Sequence, residues 1–513
     1  MDKTSRRRLS RRSSLKTHAR LRLKGISFIL ERRFFVPVRW EAALVHRKAW
    51  IAGTAPALLV LSMIGVFLAP GPGAMGQDPA EPPSGKPAPK PLPPPGVPIT
   101  AADVDLKNLN SIISELVACG TRNTLSSWTD SAHGIGCGRT HIADRLQAIS
   151  SSSGGLLKVN VDRFQASAAR TGNKDVPLEN VVAILPGSDS TLSKTVFVVS
   201  GHFDSIPSNP MDASTDAPGA DDDASGVAVS LECARLIASR RPPAGYRASL
   251  IFAAVSGEEQ GLLGSAHLVE SLRQQGYTVG GMLDNDIVGA DFAPGAPHRV
   301  RVFSGSAADG ADTPSRELAR AVEEIDSPEA VRLIFRLDRL GRGGDHIPFV
   351  QAGLPAVRFT EPLEDYHHEH QTPRIEDGVQ YGDLPQYLNV KFVANVVRDN
   401  AEVLRELALA PLAPQEVTLS GGVTPNAVVA WSAPDDPDRA GFEILWRETT
   451  APRWSVYDVV PNGKEYVFTG VSTDNHYFAV RSVGRNGARS IAAAAVPKTR
   501  AASSAAAGTR SSQ

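Results

Sequence analysis

From about residue 100 to residue 410, short apolar runs alternate with segments of helical periodicity. The runs 195-TVFVVSG-201, 248-ASLIFAAV-255, 299-RVRVFSG-305 and 355-PAVRF-359 read as strands. Apolar positions recur three and four apart in 224-ASGVAVSLECARLIAS-239, 261-GLLGSAHLVESL-272 and 385-PQYLNVKFVANVVRDNAEVLRELAL-409, which read as helices. Strands alternating with helices predict an α/β domain over 100–410, with a mostly parallel sheet covered on both faces. In such domains ligands collect beyond the carboxyl ends of the strands. From 412 to 498 the pattern shortens to alternating strands, 427-AVVAW-431, 442-FEILWRE-448, 465-EYVFTG-470 and 476-HYFAVRSVG-484, and predicts a small all-β sandwich. The Ala/Ser-rich tail 499–513 reads as disordered.

A different pattern precedes the α/β region. Residues 49–70, AWIAGTAPALLVLSMIGVFLAP, carry no charge and are about as long as a bilayer crossing requires. Residues 1–48 hold fifteen Lys and Arg against three acids, an excess that favours the cytoplasmic side. The segment is read as an uncleaved signal anchor, because a cleaved signal has a shorter charged region and a shorter apolar core. A cleaved signal, or a misassigned start codon behind the long arm, are the alternatives. The proline-rich stretch 77-QDPAEPPSGKPAPKPLPPPGVP-98 makes 71–99 an extended linker. The rest of the chain is therefore expected outside the cytoplasm, either in the cell envelope on a membrane anchor or secreted. The basic arm is explained by the membrane segment beside it, so nucleic acid is not expected as a partner.

Composition agrees with a folded protein of two or three domains: 513 residues, 42% hydrophobic and 21% charged. The formal net charge of −1 conceals the basic arm and a clearly acidic remainder. Of three cysteines, Cys119 and Cys137 flank a polar stretch and are expected to pair in an oxidising compartment. Cys233 falls on the apolar face of a helix and is expected to be a buried thiol. Neither the count nor the spacing suits a zinc module built on four thiolates.

Donor residues concentrate at strand ends. In 198-VVSGHFDS-205, His202 ends a strand, and Asp204, two residues on, can support its second ring nitrogen. The stretch 219-GADDDASG-226 packs three aspartates before a helix. Adjacent carboxylates repel unless something neutralises them, and a cation is the commonest partner that does. The stretch 255-VSGEEQG-261 presents two glutamates, one free to bind metal and the other to hold a proton. Asp284 and Asp286 lie in 281-GMLDNDIVG-289, and a histidine cluster follows in 366-YHHEHQTP-373. Each piece alone is usually structural. Together they form an oxygen- and nitrogen-rich donor set that suits zinc, manganese or cobalt. Two metals about 3.5–4 Å apart, bridged by one carboxylate, account for an aspartate-rich turn.

The ordered set GHFDS, APGADDDASG, SGEEQG, DNDIVG and the late histidines resembles the M28 family of zinc aminopeptidases over roughly 105–410. The resemblance implies a three-layer α/β/α sandwich and two Zn2+ ions, with Mn2+ or Co2+ as possible substitutes. It implies His202, Asp222, Glu259, Asp286 and His368 as metal ligands, with Asp222 bridging and Asp204 supporting His202. Asp284 is the alternative to Asp286, and His367 and His370 are the alternatives to His368. Glu258 would be the general base toward a metal-bridging hydroxide, and peptides with a free N-terminus would be the substrates. The segment 412–498 resembles a fibronectin type III module, with Trp431 as its core tryptophan and Tyr477 as the tyrosine of a late strand.

Two rival readings remain. One is another activity on the same scaffold, a carboxypeptidase or a glutaminyl cyclase. The other is a non-catalytic envelope or adhesion protein. A serine hydrolase is disfavoured because G-x-S-x-G does not occur.

Overall fold

A computed structural model describes residues 96–292, 298–305 and 312–498. The basic arm 1–48, the apolar segment 49–70, nearly all of the linker 71–99 and the tail 499–513 lie outside the described residues. Among the described residues, no helix is long and apolar enough to cross a membrane.

The centre is an eight-stranded, mostly parallel sheet. Its strands are β1 (Lys158–Ala166), β2 (Val176–Leu185), β3 (Thr195–His202), β4 (Ser249–Val255), β5 (Thr278–Asn285), β6 (Val300–Phe303), β7 (Val331–Ile334) and β8 (Ala356–Thr360). They lie in the order β1-β2-β4-β3-β5-β8-β6-β7. β3 pairs in parallel with both β4 and β5, and β5 with β8, while β1, β2 and β6 introduce antiparallel pairs. β4 and β8 are buried along their whole length, which is why they read as unbroken apolar runs. β1, at the sheet edge, alternates with exposed positions, and its polar residues hid it from the sequence pattern.

Alternate residues of the central strands feed two cores. Val181, Ala183, Val199, Leu250, Phe252 and Ala254 pack with the helices Gly226–Ser239 and Val390–Leu409. Val182, Val196, Val198, Ile251 and Ala253 pack on the other face, with Leu268 and Leu272 of the helix Leu263–Gln274 and Phe349 of His346–Gln351. This is the layered α/β/α arrangement expected. The long helix begins at Val390 rather than at 385 because the Asn389 side chain accepts from the Lys391 amide and caps it there. Cys119 and Cys137 are joined in a disulfide (Cα–Cα 5.8 Å) that ties the end of the helix Leu106–Val117 to the start of Ile135–Ser152. Cys233 is a buried free thiol.

Residues 415–497 form two small four-stranded sheets around Trp431, Phe442, Ile444, Phe468 and Phe478. Trp431 is buried, edge-on to Phe442. Tyr477 instead faces outward, 44% exposed, against the Arg447 guanidinium, and its neighbour Phe478 fills the core. Charged pairs fix this unit to the helix Pro314–Ile325: Arg481 reaches Glu324 at 2.6 and 2.7 Å, and Arg453 reaches Glu323 at 2.6 and 2.8 Å.

Candidate metal centre

The carboxyl ends of β3, β4 and β5 carry His202, the turn Glu258–Gly261 and Asp286 to one side of the sheet. Two groups of potential metal ligands meet there: His202 with Asp222 and Asp286, and Asp222 with Glu259 and His370. In each, the donor atoms lie within 4.8 Å of one another. Asp222 belongs to both and gives one oxygen to each. Its Oδ1 lies 3.0 Å from His202 Nε2, and its Oδ2 lies 2.9 Å from His370 Nε2. Asp286 Oδ1 completes the first group at 3.8 Å from His202 Nε2. Glu259 Oε1 completes the second at 3.1 Å from His370 Nε2.

These contacts are close without being satisfied. His202 Nε2 and Glu259 Oε1 are buried and make no hydrogen bond. Buried polar atoms almost always find a partner. Atoms that converge on a shared point, rather than on one another, leave room for an ion between them. The charges agree. Burial alone would lower the His202 pKa, yet Asp204, Asp222 and Asp286 outweigh it and hold the imidazole charged well above its ordinary range. The Glu259 carboxylate, against the cost of burial and with help from Asp222, pushes His370 up to about 11. Burial likewise opposes the charge on Asp222, but the two imidazoles hold its carboxyl well below the usual range. The carboxylates thus demand a positive charge at each imidazole, which a proton or a divalent ion can provide. The donors fit zinc.

The three consecutive aspartates do different work. Arg122, fully buried, donates to the carbonyls of Phe203 (2.7 Å), Pro218 (2.6 Å) and Gly219 (2.8 Å), and so ties the start of the acidic turn to the chain after β3. Asp383 accepts from the Asp221 amide at 2.8 Å and the Asp222 amide at 2.7 Å. Asp221 turns away and accepts from the Gly289 amide at 2.6 Å. Asp223 accepts from the His202 amide at 3.0 Å and the Gly226 amide at 2.9 Å. Only Asp222 faces both histidines.

Support from behind is equally specific. The Asp204 carbonyl lies 3.1 Å from His202 Nδ1, while its carboxylate accepts from the Glu258 and Glu259 amides at 3.3 and 3.2 Å. Asp204 therefore orients His202 through its backbone and the glutamate turn through its side chain. The two glutamates sit on a helical turn rather than in extended chain, so their side chains diverge by about 100°. Gly257 starts that turn at φ +74, and a Cβ there would meet Leu178 Cδ2 at 2.6 Å. Glu259 joins the ligand group. Glu258 belongs to neither group and lines the adjoining pocket of about 550 Å³, together with Asp222, Asp286 and His370. Burial pushes its carboxyl well above the ordinary range; His202 opposes this, and Asp286 and Glu259 add to it.

His368, expected in the ligand set, is not brought into it. Its ring stacks on Tyr387 at 3.7 Å, facing a separate cavity beside Asp365, Glu369 and Asp383. His367 pairs with Asp365 at the surface, Nδ1 to Oδ1 at 2.7 Å. His370 is the histidine of the cluster that meets Asp222 and Glu259, its backbone at φ +51. Asp284 also points elsewhere: its Oδ2 lies 3.1 Å from the His346 amide and 3.3 Å from His346 Nδ1. Sequence reasoning missed Arg358 of β8, fully buried, whose Nη1 lies 2.5 Å from Asp286 Oδ2. A charged residue inside the apolar run PAVRF was the available signal.

Comparison with known proteins gives the following. The family model described as Peptidase family M28 matches residues 180–382. A probable zinc metalloprotease of Leptosphaeria maculans is 39% identical over 412 residues, covering 76% of this chain and 94% of that protein. One from Pyricularia oryzae is 38% identical over 424 residues, covering 77% of this chain and 83% of that protein. Among solved structures, LapB from Legionella pneumophila is 18% identical with a TM-score of 0.46, covering 60% of this chain and 74% of that one.

Proposed function

The chain belongs to peptidase family M28 and is a zinc metallopeptidase, and from that premise we propose that it is a dinuclear aminopeptidase. The observation that carries this reading is the sharing of Asp222 between two groups of ligands, one oxygen to each. His202, Asp222 and Asp286 would hold one zinc, and Asp222, Glu259 and His370 the other. Mn2+ or Co2+ would substitute. Bound there, zinc supplies Lewis acidity toward the scissile carbonyl and lowers the pKa of a water from about 15.7 to about 7.

The chain's own residues do the rest. Glu258 faces the pocket and is in neither ligand group, which leaves its carboxylate available as a base. It takes a proton from the attacking water and returns it to the leaving amine. Asp204 holds the glutamate turn and His202 in place. A pocket of about 550 Å³ suits a few residues rather than a long chain segment, which favours cleavage at a chain terminus.

The two small sheets are read as a fibronectin type III-like module, on the support of the buried Trp431. A place outside the cytoplasm, on a membrane anchor or after secretion, is supported by the apolar segment 49–70 and by the Cys119–Cys137 disulfide.

The test is direct. Residues 96–513 are purified, bound zinc is quantified, and release of a chromophore from leucine anilide is compared with its N-acetylated form. Two equivalents of zinc and cleavage of the free-amine substrate alone are expected. Zinc without cleavage of either substrate points to a carboxypeptidase or a cyclase instead. His370→Ala should lose one zinc equivalent and most activity, whereas His368→Ala should keep both equivalents. The reverse outcome would return His368 to the ligand set.

A further inference from the structure

Three arginines line the pocket beside Glu258, and they differ in what they have left to offer. Arg339 is fully used: Nε donates to Asp338 at 3.0 Å, Nη1 to Glu364 at 2.9 Å and Nη2 to the Gly343 carbonyl at 3.0 Å. Arg170 and Arg342 are each anchored through Nη1 alone. Arg170 Nη1 donates to the Glu259 carbonyl at 2.6 Å. Arg342 Nη1 donates to Glu369 at 2.9 Å and to Glu364. Among the described residues, no hydrogen bond engages Nε or Nη2 of either arginine.

The Nε–Nη2 edge is a two-pronged donor that matches the two oxygens of a carboxylate. Both side chains are partly exposed, at 52% and 26%. Each arginine is held at one nitrogen, so part of the ordering that recognition requires is already in place. Arg170 stands on the short turn Ala169–Thr171 between β1 and β2, and Arg342 on the loop before His346–Gln351, so two unrelated segments bring the same unfilled donor to one pocket. Neutralising Glu364 and Glu369 accounts for the Nη1 contacts of Arg342, and its Nε–Nη2 edge has no protein partner among the described residues.

We propose that Arg170 and Arg342 form a carboxylate-binding subsite, so that the enzyme selects short peptides bearing a carboxylate close to the scissile bond. This deepens the aminopeptidase reading and rests on it. The carboxylate comes either from the C-terminus of a dipeptide or from an acidic side chain.

The test measures binding, so it does not depend on turnover. Zinc-loaded Glu258→Gln protein is titrated with Leu-Ala, Leu-Ala amide and Glu-Ala amide. Binding at least about tenfold tighter than Leu-Ala amide is expected for one of the two carboxylate ligands. An advantage for Leu-Ala identifies the terminal carboxylate as the source, and an advantage for Glu-Ala amide identifies the side chain. Adding Arg170→Lys and Arg342→Lys keeps both charges and the Glu364 and Glu369 pairing but removes the two-pronged edges, and should shrink that advantage to within about twofold. In the wild-type background the same replacements should raise KM for the favoured substrate more than they lower kcat. Equal binding of all three ligands, or an advantage that survives both replacements, overturns the subsite. Failure of the wild type to cleave any peptide overturns the aminopeptidase reading and leaves the binding result standing.

Discussion

Glu258→Ala should retain the two zinc ions proposed for the centre and lose nearly all turnover. The expected fall in kcat is about 10²–10⁴-fold, the range of a positioned general acid–base. Metal content should hold because Glu258 is in neither ligand group, whereas its neighbour Glu259 is in one. The Asp204 contacts that fix the turn go to the amides of 258 and 259, which a side-chain replacement leaves intact. Glu258→Gln should behave alike, since it keeps the shape and loses the base. Zinc quantification and steady-state kinetics on leucine anilide check both halves. A variant with both zincs and most of its activity would remove Glu258 from the proton path.

Much of this was readable along the chain, for physical reasons that also explain the misses. Strands buried on both faces are long apolar runs, so β3, β4 and β8 stood out, and the donors at their ends stood out with them. β1 alternates and lies at the edge, where polar residues are tolerated, so its pattern was weak. Asp222 could be distinguished from Asp221 and Asp223 only through the resemblance. Its structural reason is distributed: Arg122 lies about 100 residues upstream, and Asp383 accepts from the amides of the turn from 161 residues downstream. His368 was ranked ahead of His370 because His367, His368 and His370 lie within four residues, and which of them meets Asp222 and Glu259 depends on where the backbone turns. Histidine tolerates a left-handed φ better than most side chains, but that does not tell one histidine of the cluster from another. Residue type does not mark Arg170 and Arg342 either, because which of their guanidinium nitrogens finds a protein partner depends on the fold.

Asp222→Ala should be the most severe change in the centre, because one side chain serves both groups. Losing it leaves His202 with Asp286 and His370 with Glu259, two protein donors on each side. A zinc site held by two protein ligands falls short of the three that catalytic sites keep. Zinc content is therefore expected to fall from two equivalents to less than one at micromolar free metal, with activity at least as low as in Glu258→Ala. A ligand that binds only the folded state stabilises it in proportion to the logarithm of its saturation, about 4.1 kcal/mol at a thousandfold excess over Kd. The wild type should accordingly gain a large rise in Tm on zinc addition, and Asp222→Ala should lose most of that rise. Glu258→Ala should keep it, which separates loss of metal from loss of the base. His370→Ala should fall between the two, with one equivalent gone. If Asp222→Ala kept one equivalent at wild-type affinity, the two sites would be independent and the carboxylate would serve only one. If it kept both, Asp222 would not be a ligand, and the acidic turn would be structural after all.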